Sequence, residues 1–150
     1  MNIPNPIPVF VIVYNLFSTT RRLTEDLLRM GGRVFLVDNS SSYPPLLDWY
    51  ETIHKNPDVH IVKLGENLGP HVIYNRLSFF KEKYHEITGH QLPDEFIITD
   101  CDLDISAVPD DGLKILYQLR EEDRKSERPH LKIGFGLRLD DLPNDPLLRS

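Results

Sequence analysis

The chain has 150 residues, of which 40% are hydrophobic and 27% charged, so it is long enough to bury the core of one globular domain. Its formal net charge of −6 argues against a nucleic-acid-binding surface, which needs a basic patch. The one cysteine, Cys101, excludes an internal disulfide and a cysteine-based zinc site, and we expect a cytoplasmic protein.

The chain opens with a continuous apolar run over residues 9–14. Consecutive β-branched and aromatic residues are typical of a strand that is buried on both faces, as in a parallel sheet. The wider apolar stretch, residues 8–17, is too short to span a bilayer, and no basic residue precedes it. We therefore expect neither a membrane span nor a signal peptide.

Helices and further strands alternate along the rest of the chain. After the first strand, the sequence predicts a helix capped by Ser18 or Thr19 and stopped by Gly31, a strand over 33–38 and a helix from Pro44. A strand over 59–64, whose alternating pattern is typical of a sheet edge, and a helix from Pro70 follow. The last predicted elements are a strand from Phe96, a helix from Pro109, a strand over 131–135 and a loop over 140–146. This alternation predicts an α/β fold, with a mostly parallel open sheet and helices on both faces.

The most informative stretch is the apolar strand from Phe96, which leads into Asp100, Asp102 and Asp104. If the backbone stays extended, alternate side chains share a face, so the three carboxylates lie together. Two carboxylates about 4 Å apart repel by about 1 kcal/mol in water and by about 4 kcal/mol at an effective dielectric of 20. Such a cluster favours a hard cation, Mg²⁺ or Mn²⁺, completed by a substrate phosphate. One Asp alone would indicate only a turn or a helix cap.

Polar residues follow four of the predicted strands, namely Asn15, Asp38, Asn67 and Asp100. Ligands of open parallel sheets bind outside the carboxyl ends of the strands, so we expect these side chains to converge. Tyr14 and Asn15 are candidates to stack on and pair with a nucleobase, and Asp38 is a candidate to accept a hydrogen bond from a base or ribose. A simple turn explains either segment equally well.

The segment Asn67-Leu68-Gly69-Pro70 leads into a predicted helix. A helix amino end behind a glycine is a natural anion site, so Asn67 and Gly69 are candidate nucleotide-binding residues, although a capped helix start explains the same pattern. Neither Gly-x-x-x-x-Gly-Lys-Ser/Thr nor Gly-x-Gly-x-x-Gly after the first strand is present, so we expect no NTPase phosphate loop and no dinucleotide site.

Four stretches resemble the nucleotide-binding half of a GT-A-type glycosyltransferase of the family-2-like group. They are Val13-Tyr14-Asn15, Val37-Asp38-Asn39-Ser40-Ser41, Asn67-Leu68-Gly69 with Asn75, and Thr99-Asp100-Cys101-Asp102. They occur in the family's order and at about its spacing, and the resemblance covers roughly residues 7–136. It implies a metal-dependent transferase that binds a nucleotide-diphosphate sugar, with UDP favoured over GDP. The sugar would pass to a saccharide, lipid or protein acceptor.

The resemblance also implies roles for single residues. Tyr14, Asn15 and Asp38 would contact base and ribose, Asp100 would face the ribose, and Asp102 would hold the Mn²⁺ or Mg²⁺ that bridges the diphosphate. Asp104 departs from the minimal motif and is either a second metal contact or a cap for the next segment. The family's second half carries the acceptor site and the catalytic base. We expect residues 1–150 to be a single nucleotide-sugar-binding domain without that half, and we assign no catalytic base.

Two other classes stay open. One is a non-catalytic module that binds a nucleotide sugar or a metal. The other is a phosphohydrolase of the haloacid-dehalogenase type, in which the first Asp of Asp-x-Asp is the nucleophile and the second the acid/base. That fold usually carries the motif on its first strand with Thr or Val two residues on. In this chain the motif follows the fourth predicted strand, and Asp104 stands at that position.

Overall fold

The structure, a computed structural model, describes residues 2–136. The chain divides into two compact units, one over residues 2–114 and one that begins at Ile115. The loop predicted over residues 140–146 lies outside the described residues. The first unit carries the sheet and the candidate site.

The strands of the first unit are β1 (Ile7–Val13), β2 (Gly32–Asp38), β3 (Val59–Lys63) and β4 (Ile97–Asp100). They form one parallel sheet in the order β3-β2-β1-β4. β1 pairs on both sides and is buried along its whole length, which is what its uninterrupted apolar sequence predicts. The predicted α/β class with an open parallel sheet is confirmed, and β3 lies at an edge as its alternating pattern predicts.

The helices described within residues 2–136 are α1 (Ser18–Arg29), α2 (Pro44–Ile53), α3 (Val72–Asn75), α4 (Leu77–Thr88) and α5 (Gly112–Arg124). α3 and α4 pack on the sheet face that carries Phe10 and Phe35. Tyr50 of α2 bonds Asp38 on the opposite face, so helices cover both faces as predicted. Within the described part of the chain, no helix is both long and apolar enough to cross a membrane.

One predicted element is right only in part, and another is wrong. The helix expected from Pro70 is interrupted at Arg76, whose φ of −129° and ψ of 36° are not helical, so α3 has only four residues. Residues 131–135 form no strand. Their apolar alternation fits a strand, but Gly134 and Gly136 weaken extended pairing, and Leu131 is 93% exposed.

The expected geometry of the acidic stretch is also wrong in part. β4 ends at Asp100, and Cys101 and Asp102 form a turn, so Asp100, Asp102 and Asp104 do not lie on one strand face. β4 is also only partly buried, because it is an edge strand of the described sheet. Exposure still alternates through the turn, since Cys101 is buried between two exposed carboxylates.

In the second unit, the segment after α5 is held to the end of that helix. The backbone N–H of His130 donates to Asp123 Oδ2 at 2.7 Å, and the ring Nδ1 of His130 lies 2.7 Å from Asp123 Oδ1. These hydrogen bonds lower the pKa of the Asp123 carboxyl, with the bond to the His130 side chain as the largest cause. The contacts give residues 123–130 a local structure without any strand.

Candidate functional site

The strand order creates a switch point between β1 and β4, because β2 and β3 lie on one side of β1 and β4 lies on the other. At such a point the crevice beyond the carboxyl ends of the strands is where open α/β sheets bind ligands. An open cleft of about 390 Å³ lies there. Its lining comes from the ends of β1, β2 and β4 and from the loop after β3: Ile12, Tyr14, Leu16, Asn39, Asn67, Gly69, Pro70, Asp100, Cys101 and Asp102.

Strand register decides which carboxylates reach this cleft. Ile12 pairs with Asp100, whereas its neighbour Val13 pairs with Asp38. Adjacent residues of a strand point to opposite faces, and register partners share a face. Asp100 and Asp38 therefore lie on opposite faces of the sheet, and Asp100 is the one on the cleft side.

Asp38 is buried, with 3% of its surface exposed, and both of its carboxylate oxygens have partners. The hydroxyl of Tyr50 donates to Oδ1 at 2.7 Å, and the backbone N–H of Ser41 donates to Oδ2 at 2.9 Å. Burial, together with the bond to Asp38, raises the pKa of Tyr50 far above its ordinary value, so the phenol stays a donor. Asp38 thus holds the loop between β2 and α2, and the structure does not bring it into the cleft.

Asn15 joins two loops. Its backbone has a positive φ of 51°, a conformation that Asn tolerates better than most residues. Its Oδ1 accepts the N–H groups of Ser42 at 2.7 Å and Tyr43 at 3.0 Å, and its own N–H donates to Ser41 Oγ at 3.0 Å. Asn15 is not part of the cleft lining, whereas its neighbour Tyr14 is, with 50% of its surface exposed.

Asp100 and Asp102 both line the cleft and are exposed. Among residues 2–136, no hydrogen bond or ion pair occupies either carboxylate. Among residues 2–136, no lysine or arginine lines the cleft. Two negative charges therefore face the same open space without a positive side chain in its walls.

Asp104 has partners of its own outside the cleft lining. Its Oδ1 accepts the hydroxyl of Ser106 at 2.7 Å and the backbone N–H of Ser106 at 3.0 Å. These bonds, the hydroxyl contact first, lower the pKa of the Asp104 carboxyl. Of the two roles predicted for Asp104, this geometry supports the cap on the next segment and not the metal contact.

Asn67 and Gly69 do line the cleft, but through a loop and not through a helix amino end. α3 is too short to supply the helix dipole on which the anion-site prediction rested. Asn67 Oδ1 accepts the backbone N–H of Gly69 at 3.0 Å, and Gly69 has a φ of 85°. The left-handed turn at Gly69 needs glycine, because other side chains rarely adopt that conformation.

The main residue that the sequence reasoning missed is Asn39, which is 2% exposed. Its Nδ2 donates to the carbonyl of Gly69 at 3.1 Å, and its Oδ1 accepts the N–H of Leu68 at 3.1 Å. One available signal is position, since Asn39 directly follows Asp38 and so turns to the other face of the sheet. The sequence reasoning also left the cleft residues Leu16 and Cys101 unassigned.

The donor set fits Mg²⁺ or Mn²⁺ when a ligand completes it. Residues 2–136 contain no group of three or more His, Cys, Asp or Glu side chains arranged to hold a metal. Mg²⁺ is usually bound through one or two carboxylates plus substrate phosphates and waters, not by a complete protein cage. The exposed carboxylates of Asp100 and Asp102 match that kind of shared site.

Comparison of the sequence with protein-family models found no match, and comparison with curated proteins found no significant match. The resemblance to GT-A transferases therefore stays a prediction. The functional proposal rests on the geometry and charge of the cleft.

Proposed function

We propose that the cleft binds a nucleoside-diphosphate sugar and that the protein is the donor-binding part of a metal-dependent glycosyltransferase of the GT-A type. The observation that carries this proposal is the pair of exposed carboxylates, Asp100 and Asp102, in a cleft at the switch point of a parallel sheet. Within residues 2–136 neither carboxylate has an internal partner, so both are available to a ligand.

The charge of the cleft explains why a divalent cation is required. The described part of the lining carries two acidic side chains and no lysine or arginine, and a diphosphate is itself negatively charged. Each pair of like charges about 4 Å apart costs about 4 kcal/mol at an effective dielectric of 20. A nucleoside diphosphate therefore binds Asp100 and Asp102 only together with Mn²⁺ or Mg²⁺. When bound, the cation supplies Lewis-acid stabilisation of the departing nucleoside diphosphate.

The remainder of the lining suits a nucleobase. Tyr14 is 50% exposed, and Ile12 and Leu16 add apolar surface to the lining. Bases stack on aromatic side chains through their flat faces. A nucleotide would use both the acidic and the apolar residues of the lining, and the family resemblance favours UDP over GDP.

Calorimetric titration of UDP and GDP, each with and without Mn²⁺, tests the proposal. We expect one nucleotide to bind only with the metal. Asp102→Asn should raise its Kd at least about 100-fold, or about 2.8 kcal/mol, and leave the fold intact because Asp102 is exposed. The matched control Asp104→Asn keeps an acceptor oxygen for Ser106 and should bind like the wild type. Unchanged metal dependence in Asp102→Asn contradicts the role of Asp102.

Transfer is a separate measurement from binding. Incubation with UDP-sugars and mass spectrometry of the products shows whether a donor is turned over. Metal-dependent binding without turnover of any sugar donor would assign the protein to the non-catalytic nucleotide-sugar modules. A phosphoryl group trapped on Asp100 would instead indicate haloacid-dehalogenase chemistry.

A further inference from the structure

We propose that Asn39 is a positioning residue, which holds the loop of residues 67–69 in place as one wall of the cleft and thereby sets the affinity of the cleft for its nucleotide. This inference rests on the proposed function. Asn39 acts through the loop and not on the reacting groups.

Both polar atoms of the Asn39 side-chain amide make a hydrogen bond in this contact. It is buried at the end of β2, with 2% of the residue exposed. Its Oδ1 accepts the N–H of Leu68, and its Nδ2 donates to the carbonyl of Gly69, both at 3.1 Å. The orientation of the amide follows from chemistry, since a backbone N–H needs an acceptor and a carbonyl needs a donor.

The two hydrogen bonds from the Asn39 side chain to Leu68 and Gly69, here called the clamp, are anchored in the sheet. The backbone N–H of Asn39 donates to the carbonyl of Val13 at 2.9 Å, which continues the pairing of β1 and β2 by one residue. The end of a paired strand therefore holds the loop of residues 67–69. Sites supported by regular elements keep their geometry better than sites on unsupported loops.

Apart from Asn39, the loop is held by the side chain of Leu68, which is partly buried and packs against the core cluster that contains Phe10 and Phe80. Within the described residues, its other side-chain hydrogen bond is internal, from the N–H of Gly69 to Asn67 Oδ1 at 3.0 Å. Gly69 has a positive φ of 85°, and no heavy atom outside Gly69 and its two chain neighbours lies within 4 Å of the position that a Cβ would take. Glycine has more conformational freedom than any other residue, so we expect the backbone at Gly69 to sample other shapes once its carbonyl loses the bond to Asn39. Binding would then have to order the loop, and affinity falls.

Asn39→Ala and Asn39→Asp separate this role from a general effect on folding. Alanine removes both hydrogen bonds. Aspartate has the same shape and accepts from Leu68, but its ionised carboxylate repels the carbonyl of Gly69. Only the protonated carboxyl donates to that carbonyl and restores both bonds. Because burial favours the protonated form, the Asn39→Asp clamp should recover as the pH falls from about 8 to about 5.

Two readouts on folded protein are needed, amide hydrogen exchange at Leu68 and the Kd for UDP with Mn²⁺. In Asn39→Ala, we expect exchange at Leu68 to rise about five- to ten-fold, the effect of losing one hydrogen bond, and the Kd to rise at least about ten-fold. In Asn39→Asp, the ratio of its Kd to the wild-type Kd should fall as the pH falls. The control Asn56→Ala removes an asparagine that accepts the N–H of Asp58 at another turn, and should change neither readout.

Wild-type exchange at Leu68 in Asn39→Ala would overturn the clamp. A Kd ratio for Asn39→Asp that does not change with pH would overturn the link between the clamp and affinity. If the wild type binds neither UDP nor GDP with Mn²⁺, the proposed function fails. The exchange data then still decide whether Asn39 holds the loop.

Discussion

The hydrogen bond between Tyr50 and Asp38 tests whether Asp38 belongs to the scaffold or to the nucleotide site. Tyr50→Phe removes one hydroxyl and keeps the buried ring. Tyr50 is 1% exposed and Asp38 is 3% exposed, so water does not replace the lost donor. The donor–acceptor distance of 2.7 Å lies within the range of charge-assisted hydroxyl bonds to a carboxylate. Asp38 would keep only the N–H of Ser41 as a partner.

Hydrogen bonds to charged groups contribute about 1.5–3 kcal/mol, so the free energy of unfolding should fall by about 2 kcal/mol. With a urea m-value of about 2 kcal/mol per molar, the midpoint should fall by about 1 M. Nucleotide affinity should not change, because Asp38 lies on the sheet face away from the cleft.

Urea unfolding followed by tryptophan fluorescence is the assay, since the one tryptophan, Trp49, has its ring centroid 5.9 Å from that of Tyr50. Tyr43→Phe makes the same change at a residue that is 46% exposed, and should alter stability by less than about 0.5 kcal/mol. A loss below about 0.5 kcal/mol in Tyr50→Phe would refute the scaffold role. Weaker nucleotide binding by Tyr50→Phe at unchanged stability would instead support the predicted contact between Asp38 and the nucleobase.

Two further predictions concern β3 and β2. Burial lowers the pKa of His60 in the folded protein. As the pH falls below about 6.5, the unfolded state therefore binds a proton at His60 before the folded state does. The free energy of unfolding falls with pH until the pKa of the folded state is reached. His60→Phe keeps a ring against Phe35 and should lose less stability between about pH 7.5 and about pH 5.5 in urea titrations; an equal loss would contradict this. Gly32→Ala places a Cβ 2.8 Å from the carbonyl oxygen of Leu27. Calorimetric melting should show a loss of about 1–3 kcal/mol, and an unchanged melting temperature would show that α1 is not packed so closely on β2.

Most elements follow from the sequence because their signals are local. The uninterrupted apolar residues of β1 predict burial on both faces, and Gly31, with a φ of 84°, stops α1 where expected. The two errors arise where the local sequence pattern does not determine the structure. Alternation over residues 131–135 indicates that the segment suits a sheet, but it does not show that the segment pairs with one. The break at Arg76 has no proline or glycine to mark it.

The location of the candidate site was predictable, because parallel strands bring their carboxyl ends to one edge of the sheet. Tyr14, Asn67, Gly69, Asp100 and Asp102 all line the cleft. Strand register was not predictable in the same way. A polar residue at a strand end reaches one face or the other, and a shift of one residue reverses the answer. Asp38 and Asp100 were both predicted to lie in the site because each ends a strand, although the register of the sheet places them on opposite faces.

Hydrogen-bond partners distinguish the residues that hold this site together from the residues that are available to a ligand. Asp38 and Asn39, adjacent at the end of β2, hold loops on opposite faces of the sheet, and each uses both polar atoms of its side chain to do so. Buried polar groups must be paired in this way, because an unpaired one costs about 1–3 kcal/mol. Asp100 and Asp102 have no such partners among residues 2–136 and face the cleft together. The proposed role of a cation at these two carboxylates is therefore tested by measuring the metal dependence of nucleotide binding.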